Sequence, residues 1–98
     1  MKRYVIIENN SGFIWGDAVA SNPVEACEII NRDISGETWQ CDYEEISGRF
    51  NGRSGFVVYE VVGELPDDYD GQDQEVIDLV ASWPLVARVV THMKDDVE

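Results

Sequence analysis

Residues 56–62, FVVYEVV, form the most β-prone stretch of this 98-residue chain. Valine and aromatic side chains favour strands because they pack well on a pleated surface. Apolar residues occupy successive positions here, with Glu60 as the one interruption. A strand with one wet face would alternate apolar and polar residues, so the stretch predicts a central strand that is covered on both faces.

Four further strands are predicted around this one. Residues 3–8 and 13–19 flank the turn-forming letters NNSG and predict a β-hairpin, in which Gly16 indicates a bulge or a close backbone approach. Residues 39–44 alternate apolar and polar side chains, which is typical of a half-buried strand. The valine-rich residues 85–93 predict the last strand.

The strongest helix signal lies at residues 22–36. Asn22 suits the N-cap, Pro23 suits the first helical position, and Glu25 stands where a capping box has its acid. The apolar residues that then recur at helical spacing are Val24, Cys27, Ile30 and Ile34.

A second helix is predicted to begin near Asp73 and to end at Pro84. The order ββαββαβ predicts a single α+β domain over residues 1–98, a mostly antiparallel sheet with both helices packed on one face. The connection through the second helix could make one parallel pair of the fourth and fifth strands. We expect a loop at 47–55 and a frayed acidic tail at 94–98.

The charge balance excludes several classes of function. Twenty acidic residues face seven basic ones, and the net charge is −13. Nucleic acids and anionic membranes both require clustered Lys and Arg, so we expect no direct binding to either. No apolar run is long enough for a transmembrane helix or a signal peptide, which predicts a cytoplasmic protein. In that compartment Cys27 and Cys41 are expected to be reduced thiols, buried in the fold.

The sequence also lacks the patterns of common catalytic and metal sites. His92 is the one histidine, and no phosphate-binding or nucleophile motif occurs, so we expect neither enzymatic activity nor a cofactor. Two cysteines and one histidine without tight spacing do not predict a zinc site. The letters DDYDGQDQE resemble part of a calcium-binding EF-hand loop, but Pro66 and Ile77 fall at the first and twelfth ligand positions. A weak cation site remains an alternative.

The acidic residues are concentrated rather than spread evenly. Seven of them fall within residues 64–78 with no base among them, and a second group surrounds the predicted strand at 39–44. A solvated face that keeps the protein in solution is the simplest interpretation, but this excess of charge also predicts docking onto a basic partner. The candidate partner-binding residues are Glu64, Asp67, Asp68, Tyr69, Asp70, Asp73, Glu75, Asp78, Asp42, Glu44 and Glu45.

In its small size, its acidity, its lack of catalytic motifs and its DDYDGQDQE loop, the chain resembles the acidic inhibitors of phages and mobile elements, namely anti-CRISPR proteins and anti-restriction DNA mimics. The resemblance is one of general character and carries no shared motif. It implies a stoichiometric, non-enzymatic blocker of a host defence protein or ribonucleoprotein complex. The alternative is an accessory interaction domain or a homodimer that binds through apolar sheet surface.

Overall fold

The computed structural model describes residues 1–9, 11–35, 39–44 and 55–93, and for Ser35, 39–44 and 90–93 it describes the backbone alone. The predicted α+β class and the order ββαββαβ are confirmed. The expected tail at 94–98 and all but the last residue of the loop at 47–55 lie outside the described residues. The elements are β1 (Lys2–Glu8), β2 (Ile14–Ala20), α1 (Pro23–Ser35), β3 (Trp39–Glu44), β4 (Gly55–Glu60), α2 (Gln74–Ala81) and β5 (Leu85–Met93).

The described strands form one sheet in the order β2-β1-β4-β5-β3. The strand β4 occupies its centre, as the FVVYEVV stretch predicts, although the chain leaves the sheet after Glu60. Every neighbouring pair of strands is antiparallel. The first and last strands in this order, β2 and β3, are the two edge strands of the sheet.

The expectation of a parallel pair between β4 and β5 is wrong, because these strands are antiparallel, with Val58 opposite Ala87. The reason is the route of the connection. The chain leaves β4 at Glu60 and returns beside it, where the Glu60 N–H donates to the carbonyl oxygen of Pro84 at 3.0 Å. The loop and α2 therefore go out and back to the same end of the sheet, as a long hairpin connection does.

The two helices pack on opposite faces of the sheet, so the expectation that both lie on one face is also wrong. Successive strand residues point to opposite faces. On β1, Tyr4 and Ile6 belong to the core beneath α1, whereas Val5 and Ile7 belong to the core beneath α2. The α1 face has the buried residues Tyr4, Ile6, Ala20, Ala26, Cys27, Ile30, Phe56, Val58, Ala87 and Val89. The α2 face has Val5, Ile7, Ile14, Leu65, Val76, Val80 and Trp83.

The start of α1 follows the predicted capping pattern. The Asn22 Oδ1 accepts from the Glu25 N–H at 2.8 Å, and the Glu25 carboxylate reaches back to the Ser21 N–H at 3.1 Å. The first contact satisfies a backbone donor that a helix start leaves without a partner, and the second joins Glu25 to the residue before the N-cap. Gly16 adjoins a β-bulge, as predicted, and a Cβ at that position would approach the side-chain Cγ2 of Ile30 to 3.1 Å.

Candidate acidic docking surface

The acidic segment, residues 64–78, covers the α2 face of the sheet with its apolar residues turned inward. Leu65 and Val76 are buried against Val5 and Ile7 of β1. All seven acidic residues of the segment are exposed instead. These residues are Glu64, Asp67, Asp68, Asp70, Asp73, Glu75 and Asp78. The fold thus separates the part of the segment that stabilises the core from the part that faces solvent.

A backbone hydrogen bond fixes the middle of the acidic segment to the edge strand β2. The Ile14 N–H donates to the carbonyl oxygen of Gly71 at 2.9 Å. A Cβ at Gly71 would overlap the carbonyl oxygen of Ile14, so only glycine allows the two backbones to approach this closely. Gly71 is the glycine of the DDYDGQDQE stretch that resembles part of an EF-hand loop, and in this structure it allows two backbones to pack closely.

A second contact fixes the segment through Tyr69. Its hydroxyl donates to Asp17 Oδ1 at 2.9 Å, while Asp17 Oδ2 accepts from Nε and Nη2 of Arg3 at 2.7 and 2.6 Å. Burial raises the pKa of the Tyr69 hydroxyl well above its usual range, and the Asp17 carboxylate adds to this increase. Tyr69 is half-buried, so its ring holds the segment on the sheet and exposes only part of its surface.

Two of the acids shape the segment itself. Asp70 Oδ1 accepts from the Gln72 N–H at 2.9 Å, which closes a turn. Asp73 is the N-cap of α2, and its Oδ1 accepts from the Glu75 N–H at 3.0 Å. This agrees with the predicted helix start near Asp73, and the helix ends at Ala81, before Pro84.

Most of the remaining acidic side chains are available to interact with solvent or a partner. In the described part of the chain, the side chains of Glu64, Asp67, Asp68 and Glu75 accept no hydrogen bond and form no ion pair. No Lys or Arg occurs between residues 61 and 83. With a Debye length of about 8 Å at physiological salt, such neighbouring carboxylates repel one another and produce a common negative potential.

The second predicted acidic group is not brought beside the acidic segment. Asp42 and Glu44 lie on β3, at the sheet edge opposite to β2, where their backbones face Val90 and Arg88 of β5. Glu45 lies outside the described residues. The acidic segment rests on β1, β2 and β4 instead. The candidate surface is therefore the acidic segment, and β3 is a separate location.

Arg3 and Asp17 belong to the site, although the sequence alone does not single them out. They occupy neighbouring strands and are joined to Tyr69 only by the fold. Beside Arg3 lies a surface groove of about 530 Å³ that Leu65, Glu64 and Asp67 help to line. One arginine between two carboxylates gives this groove a mixed charge, and its arginine is already paired with Asp17.

Within the ranges that the structure describes, no three His, Cys, Asp or Glu side chains converge as metal ligands. The alternative of a cation site in the acidic segment therefore gains no support. The described helices include none with the length and apolarity that a membrane span requires.

No protein-family model matches the chain, and neither a curated protein nor a solved structure is detectably similar to it. Its function is therefore inferred from the chemistry of its own residues.

Proposed function

We propose that this chain is a non-enzymatic binding protein that docks its acidic segment onto a basic, nucleic-acid-binding surface of another protein. Its partner would be a host defence protein or ribonucleoprotein, blocked stoichiometrically in the manner of anti-CRISPR and anti-restriction inhibitors. One observation carries the proposal: seven exposed carboxylates lie on the layer that covers one sheet face, with no base among them. The proposal places the protein in the cytoplasm, where such complexes act.

Carboxylates can substitute for phosphates in a basic groove because both present anionic oxygens to Lys and Arg side chains. A groove that binds nucleic acid attracts any dense negative surface, and this attraction accelerates association. The acids of the segment have the sign that such a groove requires.

The acidic segment is also held in place before any partner arrives. Gly71 bonds to Ile14, Tyr69 bonds to Asp17, and Asp73 caps α2. A fixed segment loses less conformational entropy on binding than a free loop of the same charge would. These three contacts therefore favour a docking role over a merely solvated loop.

The test compares two charge reversals of equal size on opposite faces. The variant D67K/D68K changes the acidic segment, and its matched control E28K/D33K changes α1. Binding to purified RNA-guided nuclease complexes and restriction enzymes is measured by biolayer interferometry at two salt concentrations, with competing DNA. For a complex that the native protein binds, we expect about tenfold weaker affinity for D67K/D68K and less than about threefold for the control.

Three results would contradict the proposal. Equal weakening by both variants would show that net charge acts without a defined surface. Unchanged binding by a folded D67K/D68K protein would remove the acidic segment from the interface. Failure of the native protein to compete with DNA on any of these complexes would exclude the inhibitor function for them.

A second candidate is an accessory domain or a homodimer that associates through apolar surface. It is favoured by the exposed hydrophobic residues along the edge strand and the turn before it, namely Phe13, Trp15 and Val19. Of these, Val19 retains 56% of its accessible surface. Light scattering over a range of concentrations tests this candidate, because a monomer at every concentration excludes the homodimer.

A further inference from the structure

The edge strand β2 has backbone groups that point away from the sheet, and hydrogen bonds identify them. The Glu8 N–H donates to the carbonyl oxygen of Phe13, so the backbone N–H and C=O groups of even-numbered β1 residues point toward β2. The Arg3 carbonyl oxygen accepts from the Val61 N–H on the other side, so the backbone groups of odd-numbered β1 residues point toward β4. Residues of an antiparallel pair that exchange hydrogen bonds lie directly opposite each other.

The register then decides which residues of β2 face outward. Ile6 lies opposite Gly16, and Tyr4 lies opposite Ala18, so these β2 residues bond inward to β1. Asp17 and Val19 alternate with these inward-bonded residues, so their backbone N–H and C=O groups point away from β1, out of the sheet edge. In the described residues, the backbone bond that β2 makes outside its ladder with β1 is the one from Ile14 to Gly71.

The acidic segment runs along this same edge. Gly71 contacts β2 at Ile14, and Tyr69 contacts it at Asp17. Asp68 and Asp70, which flank Tyr69, are exposed. The open part of the edge, residues 17–19, therefore begins beside Tyr69, whose two neighbours in sequence carry exposed carboxylates.

The other side of this edge is partly apolar. Trp15 is the extra residue of the bulge between Ile14 and Gly16. Its ring meets Phe56 of the α1 face edge to face at 5.1 Å between centroids, yet it remains 40% exposed. A strand added here would meet carboxylates on one face and an aromatic side chain on the other.

We propose that the partner inserts an extended basic segment as an additional strand at the β2 edge, bonding to the backbones of Asp17 and Val19. Its basic side chains would face the acidic segment, and the alternate apolar side chains would face Trp15. This inference rests on the proposed function and specifies the chemistry of the partner.

Charge complementarity selects this occupant over a second copy of the chain. Two β2 edges paired about a two-fold axis perpendicular to the sheet would place both acidic segments on the same face, side by side. Each chain carries a net charge of −13, so the segments would repel at short range. A basic strand gains attraction at the same position.

The test uses a synthetic peptide of about eight residues that alternates Lys and Val, a length typical of a strand. Nuclear magnetic resonance measures the hydrogen exchange of individual amides of the full chain. We expect the Asp17 and Val19 amides to exchange at least about tenfold more slowly with the peptide, because they acquire acceptors. A peptide with Glu in place of Lys should give no protection.

A pair of variants isolates the backbone contribution. V19P removes an outward N–H without removing a bond to β1, and proline is tolerated at such edge positions. V19A keeps the N–H and shortens the side chain. We expect V19P to weaken peptide binding by about tenfold and V19A by less than about threefold. A peptide N-methylated at alternate residues tests the same bonds on the native protein.

The results separate this inference from the proposed function. Peptide binding without protection of Asp17 and Val19, or equal affinity of V19P and V19A, would overturn the added strand while leaving acidic docking intact. No binding of the Lys peptide, or equal binding of the Glu peptide, would also overturn it. Protection of Val19 that rises with protein concentration alone would make a second copy the occupant. Strand addition by the peptide with unchanged binding of D67K/D68K to defence complexes would instead defeat the proposed function.

Discussion

The two faces of the sheet differ in the layers that cover them. The α1 face is covered by one capped helix, whose outer side mixes the exposed Arg32 and Asp33 with the partly exposed Glu28. The α2 face is covered by a shorter helix and a loop, and the charged residues of this covering layer are all acidic. Both faces bury apolar residues, so the difference lies in their outer surfaces. The acidic segment thus combines a packed inner side with an outer surface whose charges are of one sign.

This combination has a cost that the α1 face avoids. Like charges along residues 64–78 repel one another and favour release of the segment from the sheet. The contacts that oppose release include the buried Leu65 and Val76, the backbone bond at Gly71, and the hydroxyl of Tyr69. Removing them one at a time measures how firmly each face is held.

The largest effect is expected in the two cores. Phe56 is 2% exposed in the central strand, and F56A should lower the free energy of unfolding by about 3–5 kcal/mol. W83A should fall at the lower end of that range, since Trp83, which follows the C-cap of α2, is 8% exposed. Urea unfolding measures both, and F56L serves as a milder variant. In W83A the Ile14 amide should exchange faster relative to the Ala26 amide; equal acceleration of both would show that the faces unfold as one unit.

The next effect comes from two glycines that are required for different reasons. At Gly71 a methyl group meets the Ile14 carbonyl, and we expect G71A to cost about 1–3 kcal/mol and to expose the Ile14 amide to exchange. Gly12 has open space but a φ of +74°, so G12A should cost about 1–2 kcal/mol without affecting Ile14. G12N, which tolerates this φ, is the control. An Ile14 amide that stays protected in G71A would show that the segment is held by other contacts.

Much of the fold could be predicted because the deciding signals are local. The strand propensity of FVVYEVV, the NNSG turn and the Asn22–Pro23–Glu25 cap each act within a few residues, and each corresponds to an observed element. The continuous apolar runs in β1 and β4 also indicate burial on both faces, as observed. A placement of both helices on one face disregards that signal.

The arrangement of the elements could not be predicted in the same way, because it depends on contacts between distant residues. The antiparallel pairing of β4 with β5 follows from the path of the loop, which propensity does not specify. In the candidate site, local charge density identifies the acidic segment. The link from Tyr69 to Asp17 and Arg3 joins residues 52 and 66 positions away in sequence, and no pattern connects them.

A smaller effect is expected at the two helix starts. Asp73 and Asn22 each accept a backbone hydrogen bond in the first turn, at α2 and α1 respectively. We expect D73A and N22A each to cost about 0.5–2 kcal/mol in urea unfolding. D73S and N22S, which keep an oxygen acceptor, should recover most of the loss. If D73S is as unstable as D73A, the side-chain cap contributes nothing and the charge of Asp73 explains the effect.

The smallest effect concerns the hydroxyl of Tyr69, and its size depends on pH. Y69F removes the hydrogen bond to Asp17 and should cost about 0.5–1.5 kcal/mol near neutral pH. The folded protein raises the pKa of Tyr69 above the unfolded value of 10.0. Below that value both states are neutral and the contribution is complete; above it the unfolded state ionises first, so native stability falls. The difference between native protein and Y69F should therefore shrink as pH rises from about 8 to about 11.

A matched control and a double variant identify the cause of this change. Y59F deletes a hydroxyl from the same α2 face without touching Asp17, so it controls for the loss of a tyrosine hydroxyl as such. In D17N the carboxylate that accepts from Tyr69 becomes an amide, and the effects of Y69F and D17N should be less than additive because both remove one interaction. Additive effects, or a constant difference at every pH, would show that the Tyr69 ring alone holds the acidic segment. In that event the single-signed surface would depend on apolar packing, as the α1 face does.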